Sequence, residues 1–267
     1  MMAELDLLAE LHQDAPRQGP GSEETTRLAL SLTRLSPNAP LRVADIGCGT
    51  GASTLVLAQA LPQASILALD FLPSFLQRLG ERAQTLGLAR RIRRCLADMR
   101  CPPITPASLD LIWSEGAIYN MGFASGVRAW LSLLRPGGIL AVSEITWLRE
   151  RRPEALERHW DAAYGEMGTA ADKLRILEAA GYEPLGYFPL PASCWTKNYY
   201  DPLEARLSGF LAAHPSPEAR HIVEEERAEI SLFRQYGASV SYGFYIAAKP
   251  ATSSCPPELF AAQAAQA

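Results

Sequence analysis

The stretch Asp45-Ile46-Gly47-Cys48-Gly49-Thr50-Gly51-Ala52 carries the most specific chemistry in the chain. Glycine permits positive φ and has no β-carbon, so Gly47, Gly49 and Gly51 would let a ligand lie against backbone amides at a helix N-terminus. Two ligand types compete for such a turn. Gly47-x-Gly49-x-x-Ala52 fits the dinucleotide fingerprint with a terminal alanine, and Asp70 closes the next apolar run about 20 residues on. Asp45 points elsewhere: a carboxylate just before the first glycine repels a pyrophosphate and suits a ligand with a cationic amino group. A glycine turn with no ligand is the bland alternative, and the strand before it and helix after it weigh against that.

Asp45-x-Gly47-x-Gly49-x-Gly51 resembles the first motif of class I S-adenosylmethionine-dependent methyltransferases. Asp70, ending Ile66-Leu67-Ala68-Leu69, resembles the acid that binds the ribose; Asp98 in Leu96-Ala97-Asp98-Met99 resembles the acid that contacts adenine. Leu134-Arg135-Pro136-Gly137-Gly138 resembles the turn before strand 5, and the likeness covers roughly residues 17 to 249. Arg17-Gln18-Gly19-Pro20-Gly21-Ser22, the run from Trp113 to Asn120 and Cys194-Trp195-Thr196 are similar to a narrower group of bacterial methyltransferases. The resemblance implies S-adenosylmethionine as cofactor. It implies a cofactor set of Gln18, Asp45, Gly47, Cys48, Gly49, Gly51, Asp70, Phe71, Asp98, Met99, Ser114 and Glu115. The acceptor is not fixed by it.

These residues need a frame that brings strand ends together. From Leu41 onward apolar strands alternate with helices: 41–46, 65–70, 92–97, 109–113 and 139–144, with crossover helices starting near Gly51, Pro73, Met121 and Pro153. That alternation predicts a doubly wound, mostly parallel α/β sheet. Helices over 153–164 and 170–180 precede a strand over 183–190, and a helical insertion, residues 191–238, leads to a last strand with alternating Val240, Tyr242, Phe244 and Ile246. Asp201-Pro202-Leu203-Glu204 reads as a capping box and Ser216-Pro217 as a second helix start. In the family the last strand is antiparallel, giving a seven-stranded Rossmann-like sheet. At the front, 1–11 reads as an amphipathic helix and Ser22 as the cap of a helix over 23–35. Residues 1–40 form a helical cap on one domain spanning 1–250, and 251–267 read as a flexible tail. Arg17 to Ser22 is either a linker or a flap over the site.

Composition narrows the partners. With 267 residues, 48% hydrophobic, a net charge of −4 and a pI near 5.7, the chain can bury a full core and has no global attraction for phosphate. Cys48, Cys95, Cys101, Cys194 and Cys255 form no C-x-x-C pair, which fits a reducing cytoplasm, and His12, His159, His214 and His221 lack ligand spacing and read as surface residues, so no metal is expected. The acidic residues Glu4, Asp6 and Glu10 argue against a signal peptide, and no apolar run approaches the roughly 18 residues that span a bilayer. Arg90-Arg91-Ile92-Arg93-Arg94 and Arg149-Glu150-Arg151-Arg152 read as solvated charge rather than an RNA surface.

Methyl transfer is an in-line displacement, so the protein chiefly positions donor and acceptor; a base helps hydroxyl and protonated-amine acceptors. Glu115, Tyr119 and Asn120 follow strand 4 at the carboxyl edge, where open sheets place ligands, and are the catalytic candidates, with loop capping as the plain reading of Glu115. Acceptor candidates are Tyr119, Asn120, Glu144, Trp147, Trp195, Tyr199 and Tyr200; pairing with a neighbouring Arg is the alternative for Glu144, and a packed aromatic cluster for the last three. The expectation is thus a cytoplasmic, small-molecule methyltransferase, monomer or homodimer, with neither nucleic acid nor membrane as partner. RNA or protein methylation, or cofactor binding without turnover, are the alternatives.

Overall fold

The computed structural model describes residues 2–251. Seven strands, β1 (Arg42–Ile46), β2 (Ser65–Asp70), β3 (Ile92–Leu96), β4 (Leu109–Glu115), β5 (Leu134–Trp147), β6 (Glu183–Pro189) and β7 (Val240–Ala248), form one sheet. Their order is β3-β2-β1-β4-β5-β7-β6. The first five run parallel, and β7 is antiparallel to both β5 and β6, as expected for this fold class. In β4 every residue from Leu109 to Ser114 is buried, the signature of a central strand covered on both faces. Strand order reverses between β1 and β4, and in register Asp45 stands level with Ala68 on one side and Trp113 on the other. The carboxyl ends of β1, β2 and β4 therefore finish side by side at the switch point, where a crevice opens.

Helices follow the sequence signals closely. They are α1 (Met2–Gln13), α2 (Glu23–Leu32), α3 (Ala52–Ala60), α4 (Pro73–Thr85), α5 (Phe123–Leu131), α6 (Glu154–Ala163) and α7 (Ala170–Ala179). Ser22 caps α2 through the Thr25 amide, as its position predicts. Between β6 and β7 come α8 (Ala192–Trp195), a π-helical turn over Thr196–Tyr200, α9 (Asp201–Ala213) and α10 (Pro217–Tyr236), whose first turn is capped by Ser216.

Three local expectations change. The capping box at Asp201 does not form, because the chain enters α9 already helical from the π turn and leaves no orphan amide for it to satisfy; Asp201 and Glu204 bind Arg234 instead. The segment 134–138 is not a turn before β5 but the kinked beginning of that strand, with Leu109 opposite Leu134 and Leu111 opposite Ile139. His12 is not a surface residue: it is 9% exposed, beside Glu226 and under Tyr199. The tail expected over 251–267 lies, past residue 251, outside the described residues.

One face of the sheet is covered by a core that joins distant parts of the chain. Leu11 of α1, Trp195, Tyr200, Leu207, Ile230 and Phe233 of the insertion, and Trp113, Ile145, Tyr242 and Phe244 of the sheet belong to the same buried cluster. The insertion therefore completes the core as well as roofing the sheet. The other face buries Ile112, Val142 and Tyr245 against α7 and against α5, which contributes Trp130.

Candidate active site

A cavity of about 460 Å³ opens at the carboxyl edge of β1, β2 and β4. Its floor is the glycine turn, in which Gly47 (φ +76), Gly49 (φ +55) and Gly51 (φ +89) all occupy the left-handed region. A β-carbon on Gly47 would lie 2.3 Å from the Ala117 Cβ, and one on Gly49 2.6 Å from the Gln18 Oε1, so side chains are excluded by contact as well as by dihedral angle. Gly47 and Cys48 donate their amides to the Leu69 carbonyl, which stitches the turn to the end of β2.

Asp70 closes the other side of that stitch. Its Oδ2 accepts the Gly49 amide at 2.8 Å and its Oδ1 the Leu72 amide at 2.9 Å. Each oxygen keeps a second lone pair, and Asp70 lines the cavity, so it both fixes the turn and offers acceptor sites to a ligand. Burial pushes its carboxyl up despite these bonds. Beside it Phe71 is 62% exposed at the rim, and Asp98 and Met99 supply the wall after β3. Asp98 is chelated by the Arg100 guanidinium, which holds its carboxyl low.

The segment ahead of α2 folds over this floor as a flap. Gln18 Oε1 accepts the Thr50 amide at 2.9 Å and the Thr50 hydroxyl at 3.1 Å, while its Nε2 donates to the His12 and Ala15 carbonyls. Arg82 reaches from α4 to the Thr50 carbonyl at 2.9 Å. On the far side Arg17 forms an ion pair with Glu115, and Asn198 donates to the Gly21 carbonyl from the π turn. Arg17, Gln18, Gly19 and Pro20 line the cavity, which sets aside the linker reading of this stretch.

Glu115 sits differently from a base. One oxygen accepts from the Thr26 hydroxyl at 2.7 Å and the Trp113 indole N–H at 2.9 Å, and the other takes the Arg17 guanidinium. With three donors around it, the carboxylate joins β4, α2 and the flap. Tyr119 and Asn120 lie on the short 3-10 helix Ile118–Met121 and do line the cavity; Asn120 is tied to the Ala117 carbonyl and Tyr119 is 39% exposed.

Several expected residues stand behind the cavity wall. Asp45 is fully buried; its Oδ2 accepts the Ser53 and Thr54 hydroxyls at 2.9 and 2.6 Å, and its Oδ1 has no partner. Desolvation pushes its carboxyl up to about 7. Gly51 packs on Leu79, and Ser114 is buried within β4 with its hydroxyl unpartnered, so neither reaches the cavity. Cys48 lines it as a neutral thiol, pushed up by burial and by Asp45 and Asp70.

The acceptor wall expected after β6 is also displaced. Trp195 is 1% exposed, stacked on Phe233 at 4.7 Å and bonded to the Ser241 hydroxyl, and Tyr200 is fully buried with its hydroxyl on Glu229: both are packed core, because α10 covers them. Trp147 lies under the Arg152 guanidinium. Glu144 points to no arginine partner; it is 3% exposed, its Oε2 is unpartnered, and burial pushes it up to about 7 against the opposing charge of Lys173. Tyr199 is half-buried and stacks on His12.

Sequence reasoning missed Ser53, Leu72, Phe75, Arg100 and Ala117, all of which line the cavity. Ala117 had a signal, since a strand-end residue facing a motif glycine has to be small; Thr26 and Arg82, which brace the wall from other helices, had none. Within the arginine runs, Arg91 is spent on the Ala58 and Leu61 carbonyls, Arg94 on that of Leu76 and Arg152 on Glu157. Among the described residues no group of His, Cys, Asp or Glu is placed to hold a metal, and no helix is long and apolar enough to cross a membrane.

Residues 43–138 match the family described as a methyltransferase domain. Trans-aconitate 2-methyltransferase of Methylobacterium radiotolerans is 32% identical over 168 residues, 61% of this chain and 62% of the relative, so the match spans under two thirds of that protein. The enzyme of the same name from Paracidovorax citrulli is 29% identical over 223 residues, 72% and 83% of the two chains. Among solved structures, an S-adenosylmethionine-dependent methyltransferase from Geobacter sulfurreducens in complex with S-adenosylhomocysteine superposes with a TM-score of 0.78 at 19% identity, over 91% of this chain and 97% of that one. The glycine turn, the sheet order and this superposition give the chain the Rossmann-like fold of S-adenosylmethionine-dependent methyltransferases, and within it residues 43–138 are similar to the methyltransferase domain family.

Proposed function

We propose that the protein binds S-adenosylmethionine in the cavity at the switch point and methylates a small-molecule acceptor. The observation that carries this reading is the bare backbone of Gly47 and Gly49 beside the free lone pairs of Asp70, a cradle that a β-carbon would fill. Gly47, Cys48, Gly49, Ala52 and Ser53 would hold the methionine portion, Asp70 the ribose hydroxyls, and Phe71, Asp98 and Met99 the adenine. The bound cofactor supplies a methyl carbon made electrophilic by its sulfonium. The chain's own part is to bind, orient and exclude water.

The flap does the excluding. Gln18 and Arg17 span the cavity mouth and are fastened to the turn and to Glu115, so Glu115 acts as a positioning residue and not as the base. Tyr119 and Asn120 remain at the acceptor side. Support for a small acceptor comes from the size of the cavity, about 460 Å³, and from Arg91 and Arg94, which are taken up by helix carbonyls rather than offered to phosphates. We place the protein in the cytoplasm, with cysteines free among the described residues.

Calorimetric titration with S-adenosylhomocysteine and with NAD tests the cofactor assignment. Binding of the first and not the second is expected; the reverse would sink it. Incubation with labelled donor and a panel of metabolites should then yield S-adenosylhomocysteine only with the true acceptor.

A further inference from the structure

Behind Tyr119 the structure gathers an unusual density of phenols and carboxylates. Tyr119 meets Tyr164 edge-on at 4.8 Å, Tyr164 meets Trp160 at 5.3 Å, and Trp160 meets His159 at 4.9 Å. Glu229 lies 3.7 Å from His159 and also takes the Tyr200 hydroxyl; Glu226 lies 3.6 Å from His12. The charges of Glu144, Glu229 and Glu226 all bear on the Tyr119 hydroxyl, which desolvation together with that repulsion keeps protonated. Of the cations near these groups, Arg17 is paired with Glu115, and Lys173 donates to the Glu166 carbonyl under Phe123. His12 faces Glu226 and His159 faces Glu229.

Unmet hydrogen-bond capacity marks the same cluster independently of its charge. Trp160 is 1% exposed, yet among the described residues its indole N–H has no partner, and His12 is 9% exposed with its Nδ1 likewise unpartnered. A buried donor left without an acceptor costs about 1–3 kcal/mol, so such groups together call for something that satisfies them. Tyr119 is exposed and lines the cavity, and Tyr164, Glu226 and Glu229 are half-buried.

We infer that this cluster is the acceptor subsite and that the acceptor is a small cationic amine bearing an oxygen, its nitrogen held among Tyr119, Tyr164, Glu226 and Glu229 and its oxygen accepting the Trp160 indole N–H. The assignment rests on the proposed methyltransferase function. Phenol faces and carboxylates attract an ammonium group through the ring quadrupole and direct charge, most strongly where water is excluded. The same groups repel carboxylates, so trans-aconitate, the anion named for the relatives, is a poor occupant here.

Titration of the S-adenosylhomocysteine-loaded protein with choline, with its neutral isostere 3,3-dimethylbutan-1-ol and with trans-aconitate, followed by calorimetry and tryptophan fluorescence, tests this. Choline is expected to bind at least about tenfold more tightly than the alcohol, and trans-aconitate not at all. Glu226→Gln and Glu229→Gln should each weaken choline about fivefold, leave the alcohol unchanged, and keep S-adenosylhomocysteine affinity within about twofold. In Glu229→Gln the side-chain amide oxygen still accepts the Tyr200 hydroxyl, so thermal melts of this variant should match the parent. Equal binding of choline and the alcohol, tighter binding of trans-aconitate, no binding of any probe, or indifference of choline to both substitutions would overturn the assignment. Failure of S-adenosylhomocysteine to bind would instead strike the cofactor reading, and is read in the same titration.

Discussion

Asp70 and Asp45 are both strand-end carboxylates of the glycine turn, and they do different things because of what touches them. Asp70 holds two backbone amides and faces the cavity, so Asp70→Ala leaves the Gly49 and Leu72 N–H groups without their acceptor and removes the proposed ribose contacts. Expected are a loss of roughly 1–3 kcal/mol in stability and at least a tenfold loss of S-adenosylhomocysteine affinity, read by melts and calorimetry. An unchanged affinity would detach the ribose from β2. Asp45 is buried behind the wall, and with Glu144 it is pushed up to about 7. Below about pH 4 such carboxyls are protonated in folded and unfolded chains alike, and above about 7 they are ionised in both. Between these limits the folded chain binds more protons, so these groups make stability fall as pH rises. Asp45→Asn keeps an oxygen for Ser53 and Thr54 and should flatten that decline relative to the parent in urea melts across pH 4 to 7, as should Glu144→Gln. A variant whose pH slope equals the parent's would mean that the carboxyl titrates normally.

At the scale of elements, the Arg17–Glu115 pair is the clasp between the flap and β4. Glu115→Gln and Arg17→Ala should each weaken S-adenosylhomocysteine binding about fivefold, and the double variant no more than either, giving a coupling of about 1 kcal/mol in a double-mutant cycle. Additive losses would show that the two act apart. Trp195→Ala should cost about 3–5 kcal/mol of stability, since the indole fills the core between Phe233, Tyr242 and Tyr200 and cannot move aside. The difference between these two sites is a lesson in what a sequence exposes. Strand starts and helix starts were legible at Ser65, Pro73, Glu183 and Ser216 because apolar periodicity and capping are local properties. The cradle was legible for the same reason: Gly47, Gly49 and Asp70 are forced by backbone geometry within two adjacent strands. Glu115 and Trp195 were not, because their roles are set by Arg17, Thr26, Phe233 and Ser241, partners far away along the chain that no spacing rule connects. Asp201 fails in the opposite way: the local motif is present, but a preceding π turn supplies the helix that the cap would have started.

For the molecule as a whole, the cofactor site and the core are coupled through the first helix. α1 touches α4, α9 and α10, Leu11 is part of the main core cluster, and the His12 carbonyl holds the Gln18 amide whose other end binds the turn at Thr50. Flap, insertion and glycine turn therefore share one support, and loosening α1 should loosen ligand binding without unthreading the sheet. In the full chain, S-adenosylhomocysteine at about 100 times its Kd should add about 2.7 kcal/mol and raise Tm by roughly 5–10 °C. Removing residues 1–13 deletes the helix but none of the strand-end residues of the cavity. The shortened protein should melt cooperatively at a lower temperature and bind S-adenosylhomocysteine at least about tenfold more weakly, which at the same ligand concentration removes about 1.4 kcal/mol of that stabilisation. Trypsin gives a second reading of the same coupling, because Arg17 is clamped when the flap is closed. Ligand should slow cleavage at Arg17 in the full chain and have little effect in the shortened one. If both proteins showed the same ligand-induced shift in Tm, α1 would be a passive cover, and the flap would take its order from Glu115 and Asn198 alone.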